Sequence, residues 1–443
     1  SYAGYASFSE NKYLAKVKMP SLNSVPDSAF NNCYRLEEVE LDSAVELEDC
    51  AFERCWFLRN VYVPDVEIMG DMGFAYCDNL RKISLPNLLR MDGVYNFKWC
   101  STLTKIDLPK LQNIPEQTFM YCYMLSDINM PKVEQIGYQA FYDTYSLGNI
   151  QFDSLKVLGD EVFVNSSISA LSAPELETIG NKVFPYFDTM WDTYSANPSL
   201  KVLYAPKLTT LTDESLAYTS GLAELDLPSL KSIGENAFYE SAVNYLYAPE
   251  LETAESLPVA EDAVVVVSDK LTNCTYVPTD TSLTIQGDKG SYGEEYADAN
   301  NLEFIDMNDM GGSIRVTDAG LRFGYSFYDT QKKDVEEYGF VYAAGEQDRN
   351  DLTVEQIDNE SVLQLTAYNR LTHEDETTTF NLVFTDIPRA SYDTEVTARA
   401  YVKIDGKYFY SDVTTRSFNQ VANAVLADNE IDESTKNALR ALY

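Results

Sequence analysis

The sequence predicts an α/β solenoid of stacked coils followed by an all-β domain. Three observations carry that prediction. From Leu14 to Val243 the pattern Leu-x-x-Ile-x-Leu-Pro returns every 21 to 23 residues, with one longer step of 32 between Ile168 and Leu200. Within each unit the apolar residues first alternate and then fall three apart. Beyond residue 313 the repeat is gone, and longer alternating segments replace it. A fixed period of this length marks units that cannot bury their apolar face alone and must stack on neighbours.

The unit "LAELDLPSLKSIGENAFYESA", residues 222–242, contains the parts in order. In "VEL" (39–41) and "IDL" (106–108) the apolar residues alternate, as in a short strand with one buried face. The proline that follows, as at Pro20, Pro64, Pro109 and Pro228, has no N–H to donate and ends the strand. An apolar pair three apart comes next, Leu230 and Ile233 in this unit, and then Gly, Pro or Asp turns the chain. "PDSAFNNC" and "GENAFYES" read as short helical segments, with Phe and the Cys column at i, i+3 on one face. The expected coil therefore puts short parallel strands on the concave face and short helical or 3-10 turns on the convex face.

"SFSENKYL" (7–14) is the tail of a preceding unit, so upstream sequence, a signal peptide included, is expected to lie outside this segment. Two units depart from the pattern. Leu216 stands where the others have phenylalanine, and "PYFDTMWDTYSANPS" is an insertion read as about half a helical repeat.

Five cysteines, Cys33, Cys55, Cys77, Cys100 and Cys122, each sit three residues after a phenylalanine and three before a leucine. Packed helical elements lie roughly 8–10 Å apart, too far for disulfides between neighbouring units. Five would also leave one unpaired. The column continues as Thr144, Ser166, Thr219 and Ser241, which share small size rather than redox chemistry. The cysteines are therefore expected to be buried free thiols, a structural column beside the phenylalanines. No second ligand recurs at fixed spacing, so no metal site is expected.

The order of columns is a leucine-rich-repeat pattern. It resembles the BspA-like class of bacterial surface proteins, whose units read Leu-x-x-Ile-x-Ile-Pro…Ile-Gly-x-x-Ala-Phe-x-x-Cys. The resemblance covers roughly residues 1–307. It implies an extracellular or cell-surface protein of a Gram-positive, gut-type bacterium that attaches to a protein partner, host or bacterial.

After Leu251 the periodicity decays. Gly290-Ser291 ahead of Glu294 and Glu295 reads as a capped helix onset, and "NLEFI" (301–305) as a last strand. Residues 255–307 are thus the expected cap of a solenoid spanning 1–307. "NDMGGS" (308–313) is a linker by composition. Residues 314–418 alternate, as in "GLRFGYSFYD" and "TTTFNLVFTD", and "VKIDGKYF" signals a hairpin turning at Asp405-Gly406. They predict a β-sandwich of the immunoglobulin or fibronectin kind. Residues 419–443 predict two short helical pieces. "DNEID" (428–432) lacks the glycine and terminal glutamate of a calcium loop and reads as a solvated helix junction.

Composition excludes several functions. The chain of 443 residues has 33 basic and 70 acidic residues, a net charge of −37. That surface repels phosphate backbones and anionic membranes, so no nucleic-acid partner is expected. Apolar runs such as 264–267 are too short to cross a bilayer, so no membrane insertion is expected. The single histidine, His373, removes two-histidine zinc sites. No nucleophile elbow, Cys-x-x-Cys, His-Glu-x-x-His or phosphate loop occurs. The chain reads as a non-enzyme without cofactor, and as a monomer.

In a solenoid, residues between the buried strand positions project from the concave face: Lys16 and Lys18, Glu38 and Glu40, Asn60 and Tyr62 in the first units. Toward the other end Tyr204, Tyr245 and Tyr247 share that face. The insertion adds Tyr186, Phe187, Trp191 and Tyr194 along an edge. Exposed aromatics are enriched at interface hot spots, so these residues with Tyr62 form the expected binding patch. The competing reading is that tyrosine simply favours strands. Two functions fit: protein adhesion through the solenoid, or a carbohydrate-binding or spacer module of a larger secreted assembly.

Overall fold

A computed structural model describes residues 3–258, 260–276, 282–357 and 361–442. The chain forms two compact units, 1–283 and 284–443. Residues 259 and 277–281 of the expected cap lie outside the described residues.

In the first unit each coil contributes a three-residue strand. Lys16–Lys18, Glu38–Glu40 and Asn60–Tyr62 pair in parallel, with Val17 opposite Val39 and Val39 opposite Val61. The repeat length sets this register, because a period of one coil brings identical columns together. The middle residue of each strand points inward, and Val39, Ile83 and Ile106 are buried. The strands form ladders of three: 16–18 to 60–62, then 82–84 to 127–129, then 149–151 to 202–204. The ladder is therefore open between Asn60–Tyr62 and Lys82–Ser84, and likewise between Asp127–Asn129 and Asn149–Gln151 and between Val202–Tyr204 and Glu224–Asp226.

A second, two-residue strand follows in each coil, as in Ser24–Val25, Glu46–Leu47 and Ile68–Met69. It occupies the place of the second residue in the apolar pair. Two residues cannot display alternation, so the pattern alone gave no strand signal there.

The convex side differs from the expected helices. N–H groups of Ala29, Asn31 and Cys33 bond back three residues, to Pro26, Ser28 and Phe30. Those of Ser28, Phe30 and Asn32 donate instead to Asp49, Ala51 and Glu53 of the next coil. Ser28 and Asn32 have φ of +56° and +57°, and the pair recurs at Cys50 and Arg54, Tyr95 and Trp99, Gln117 and Tyr121. A helix requires right-handed residues throughout and bonds to i−4. The reason is spacing. Strands of successive coils sit about 4.8 Å apart, and helices, at about 8–10 Å, cannot keep pace with them. A ladder of turns can.

The phenylalanine column makes this spacing visible. Phe8, Phe30, Phe52, Phe74, Phe97, Phe119, Phe141, Phe163 and Phe184 stack in sequence, centroids 5.1 to 5.8 Å apart and planes within 21°. The stack stops where Leu216 takes the column.

The cysteine column is free of disulfides, but the 8–10 Å separation expected from helix packing is not the reason. Each thiol has another use. Cys55 Sγ donates to the Phe30 carbonyl of the preceding coil at 3.3 Å, Cys77 to Phe52 at 3.3 Å, Cys100 to Phe74 at 3.1 Å and Cys122 to Phe97 at 3.1 Å. Cys33 does the same to Phe8 at 3.0 Å. These carbonyls face away from the inter-coil ladder and otherwise accept only the N–H three residues on. The thiol is a small donor for the remaining lone pair. Burial also pushes the thiols of Cys55, Cys77 and Cys122 well above their usual pKa, which suppresses the reactive thiolate. Titration with a thiol reagent is expected to find these five unreactive in the native protein and all seven cysteines reactive after denaturation. A denatured count below seven would contradict the free-thiol assignment.

The insertion is a β-hairpin rather than helical. Tyr186–Asp188 pairs antiparallel with Thr193–Ser195, Phe187 opposite Tyr194.

The second unit begins with strand Thr284–Gln286, paired in parallel with Glu303–Arg315, and between the two lies the expected helix, Tyr292–Ala299, with Ser291 at its N-cap. The stretch 308–313 is not a linker. It lies within strand Glu303–Arg315, paired with Gly320–Asp329. A bulge between Asp309 and Gly312, with Gly311 at φ +91°, absorbs the glycines without leaving the ladder. Two sets of antiparallel strands follow. Gly320–Asp329 pairs with Thr378–Phe384, and Val335–Ala344 pairs with Leu363–Thr366 and Val396–Ile404. Val396–Ile404 turns at Asp405-Gly406, both with positive φ, into Lys407–Tyr410. Helices Phe418–Ala427, with a Ser417/Gln420 capping box, and Glu433–Arg440 end the chain. Asp432 caps the last helix by accepting from the Thr435 N–H.

Candidate functional site

The concave face of the first coils carries a hollow of about 1310 Å³. Lys16, Lys18, Glu38, Glu40, Arg59, Asn60, Tyr62, Asn79, Arg81 and Lys82 line it. A smaller one of about 380 Å³ adjoins it and shares Tyr62 and Lys82. Tyr62 is 56% exposed, at the end of its strand beside an open seam in the sheet.

Charge is unevenly matched there. Lys16 is ion-paired with Glu38, and Lys18 with Glu40 at 2.7 Å. Just beyond, Lys105 pairs with Asp127 at 2.7 Å. The hydrogen bonds to Glu40 and Asp127 raise the pKa of Lys18 and Lys105. Arg59, Arg81 and Lys82 have no carboxylate within 4 Å among the described residues, and all three are exposed. Arg59 and Arg81 occupy one column of successive coils, so like charges stand side by side, an arrangement that costs stability. The hollow is lined by five basic side chains against two acidic, +3, in a chain of −37.

The expected aromatic patch divides between two faces. Tyr62, Tyr204, Tyr245 and Tyr247 are on concave strands; Tyr204 is exposed, and Tyr245 and Tyr247 are half-buried. The hairpin packs elsewhere. Phe187 and Tyr194 lie against Met120, Tyr142 and Val164 on the turn side. The Tyr194 hydroxyl donates to Glu161 at 2.6 Å, and burial with that bond raises its pKa. Tyr186 bonds Ser199 at 3.2 Å. Trp191, 73% exposed, stands at the hairpin tip beside exposed Met190. The structure therefore does not join Tyr186, Trp191 and Tyr194 to the concave tyrosines.

Two features escaped the sequence reading. Arg59 and Arg81 lie one residue ahead of the concave strand, outside the positions counted as projecting; the column Glu37, Arg59, Arg81 was the available signal. On the turn side, Trp99 and Tyr121 lie 4.3 Å apart and Tyr123 stacks on Tyr145 at 5.5 Å. Beneath them is buried Asp143, whose carboxyl is raised in pKa by burial.

Comparison with known families finds the BspA type leucine rich repeat region (6 copies), matched over residues 1–90, 67–190 and 192–256. The chain belongs to this family. No curated protein matches. Among solved structures, an internalin from Listeria monocytogenes aligns at 10% identity over 60% of this chain and 88% of that one, with a TM-score of 0.26. The BspA-type match ends at residue 256, so the second unit lies outside it. Within the BspA-type array, the hollow falls in the most regular coils, whose steps are all 22 residues from Leu14 to Leu80. No helix is long and apolar enough to cross a membrane among the described residues.

Proposed function

We propose that this chain is a surface-exposed or secreted interaction protein of a Gram-positive bacterium, which binds a protein partner through the concave face of its BspA-type array. The observation that carries the reading is the hollow around Tyr62, where Arg59, Arg81 and Lys82 have no carboxylate within 4 Å among the described residues while the neighbouring Lys16, Lys18 and Lys105 are each ion-paired. Paired, solvated sheet faces need no partner; unneutralised charge beside an exposed aromatic is the composition of a hot spot. Tyr204, Tyr245 and Tyr247 extend the same face, and we include them in the contact. Trp191 at the hairpin tip is a separate, smaller contact. The antiparallel second unit is read as a sandwich-like module, and the chain as a monomer.

The test is an array of extracellular-matrix proteins, bacterial surface proteins and glycans probed with the whole chain. With a captured protein, Tyr62→Ala is expected to weaken binding about tenfold, as for a central aromatic anchor. Trp191→Ala is expected to change it by about twofold or less. Capture of glycans alone would favour the carbohydrate-binding reading, and unchanged binding by Tyr62→Ala would remove the concave face from the contact.

A further inference from the structure

We infer that the ligand of this hollow is a short acidic segment of a protein, bearing two or three carboxylates close together. The inference rests on the concave-face reading above and names the chemistry that this face selects.

Arg59, Arg81 and Lys82 come from two neighbouring coils and line one hollow. A guanidinium presents a planar fork that fits a carboxylate with two parallel hydrogen bonds. Two such forks in one column, with an ammonium beside them, define a strip for carboxylates spaced along an extended chain. Asn60 and Tyr62 supply further polar and aromatic contact at its edge. The positive strip is narrow, and this separates an acidic peptide from a long polyanion. On one side stand Glu38 and Glu40, and on the other Asp107 and Asp127. A uniformly charged polysaccharide running along the face would meet those carboxylates after about two coils, whereas a short acidic run flanked by neutral or basic residues would not. The rest of the chain, at −37, repels polyanions further. One of the three seams in the concave ladder falls between the strands bearing Tyr62 and Lys82, within the strip.

The probe is the peptide fluorescein-Gly-Gly-Glu-Glu-Glu-Gly-amide, labelled through its N-terminal amine, titrated with the whole chain and read by fluorescence anisotropy. Its control has three glutamines in place of the glutamates. Saturable binding of the glutamate peptide alone is expected, weakening as salt rises from about 50 to about 300 mM because the contact is exposed. Arg81→Glu is expected to weaken it about tenfold or more, and Arg81→Lys by less, since the bidentate fork is lost while the charge remains. Lys132→Glu, an exposed cation outside the hollow, carries the same charge change and is expected to leave binding intact. Equal binding of both peptides, no binding of either, or equal effects of Arg81→Glu and Lys132→Glu would each overturn the inference. So would tighter binding of heparin that depends on Arg81, which would make an anionic polysaccharide the occupant. A captured partner that is lost with Tyr62→Ala but kept with Arg81→Glu would leave the concave-face reading standing and remove only the acidic ligand.

Discussion

Phe97→Ala is expected to destabilise the solenoid by about 3–5 kcal/mol, the largest loss from any single truncation in the array. Phe97 is fully buried and stacks on two neighbours, Phe74 at 5.6 Å and Phe119 at 5.5 Å. Its removal opens a cavity that the rigid turn ladder on either side cannot collapse to fill. In a solenoid, stability is the sum of each coil and its interfaces with two neighbours, so a central deletion weakens two interfaces at once. Phe8 is the internal control. It is half-buried and, among the described residues, stacks on Phe30 alone, so Phe8→Ala is expected to cost much less. Phe97→Leu is expected to fall between them, since Leu216 fills the same column in a natural coil and is fully buried there. Urea unfolding followed by circular dichroism measures all three. Equal losses for Phe97→Ala and Phe8→Ala would mean that the stack does not hold the array together.

Asp306→Asn is expected to stabilise the second unit by up to about 3 kcal/mol near pH 7 and to give nothing below about pH 4. Asp306 is buried in strand Glu303–Arg315, and its carboxyl is pushed up to about 6, chiefly by burial, with Asp288 and Glu294 adding to the shift. Its Oδ2 accepts from the Lys289 N–H at 3.2 Å, which opposes the shift, while Oδ1 has no hydrogen-bond partner. The folded chain therefore holds this proton more tightly than the unfolded chain, whose carboxyl titrates near 3.8. The stability linked to that proton is complete below pH 3.8 and is lost as pH rises through about 6. An asparagine keeps the acceptor for Lys289 and carries no charge to bury. Unfolding of the second unit in urea at both pH values tests the sign. A variant that is less stable at pH 7, or equally stabilised at pH 4, would contradict it.

Much of the first unit is legible in its sequence because one period fixes so much. Once Val17, Val39 and Val61 fall in a column, their strands are in register and their neighbours point outward. The same reasoning fails where a local choice departs from local preference. Asn32 and Asn165 at positive φ are unsurprising, since asparagine tolerates that region. Trp99 and Tyr121 occupy the equivalent position and carry no such signal, so local preference predicts helix where the structure has a turn ladder. The hairpin at 186–195 interrupts the period and is locally too short to alternate clearly. Gly311 and Gly312 signal a linker by composition, yet the bulge needs those residues to keep the strand intact. The basic strip is illegible in the sequence for a different reason. Arg59 and Arg81 are ordinary surface residues singly, and only the fold places them in one hollow where neither has a carboxylate within 4 Å among the described residues.

The bonds that join one coil to the next run along the solenoid axis, as those from Ser28, Phe30 and Asn32 to the following coil do. A pull along that axis therefore strains the bonds of one interface lengthwise, a few at a time, instead of shearing many together. Coils would peel off singly, each releasing roughly 75 Å of chain if 22 residues extend at about 3.4 Å each. If the chain tethers a surface to a partner, as proposed, such yielding would limit the tension at the contact, because the array would lengthen one coil at a time.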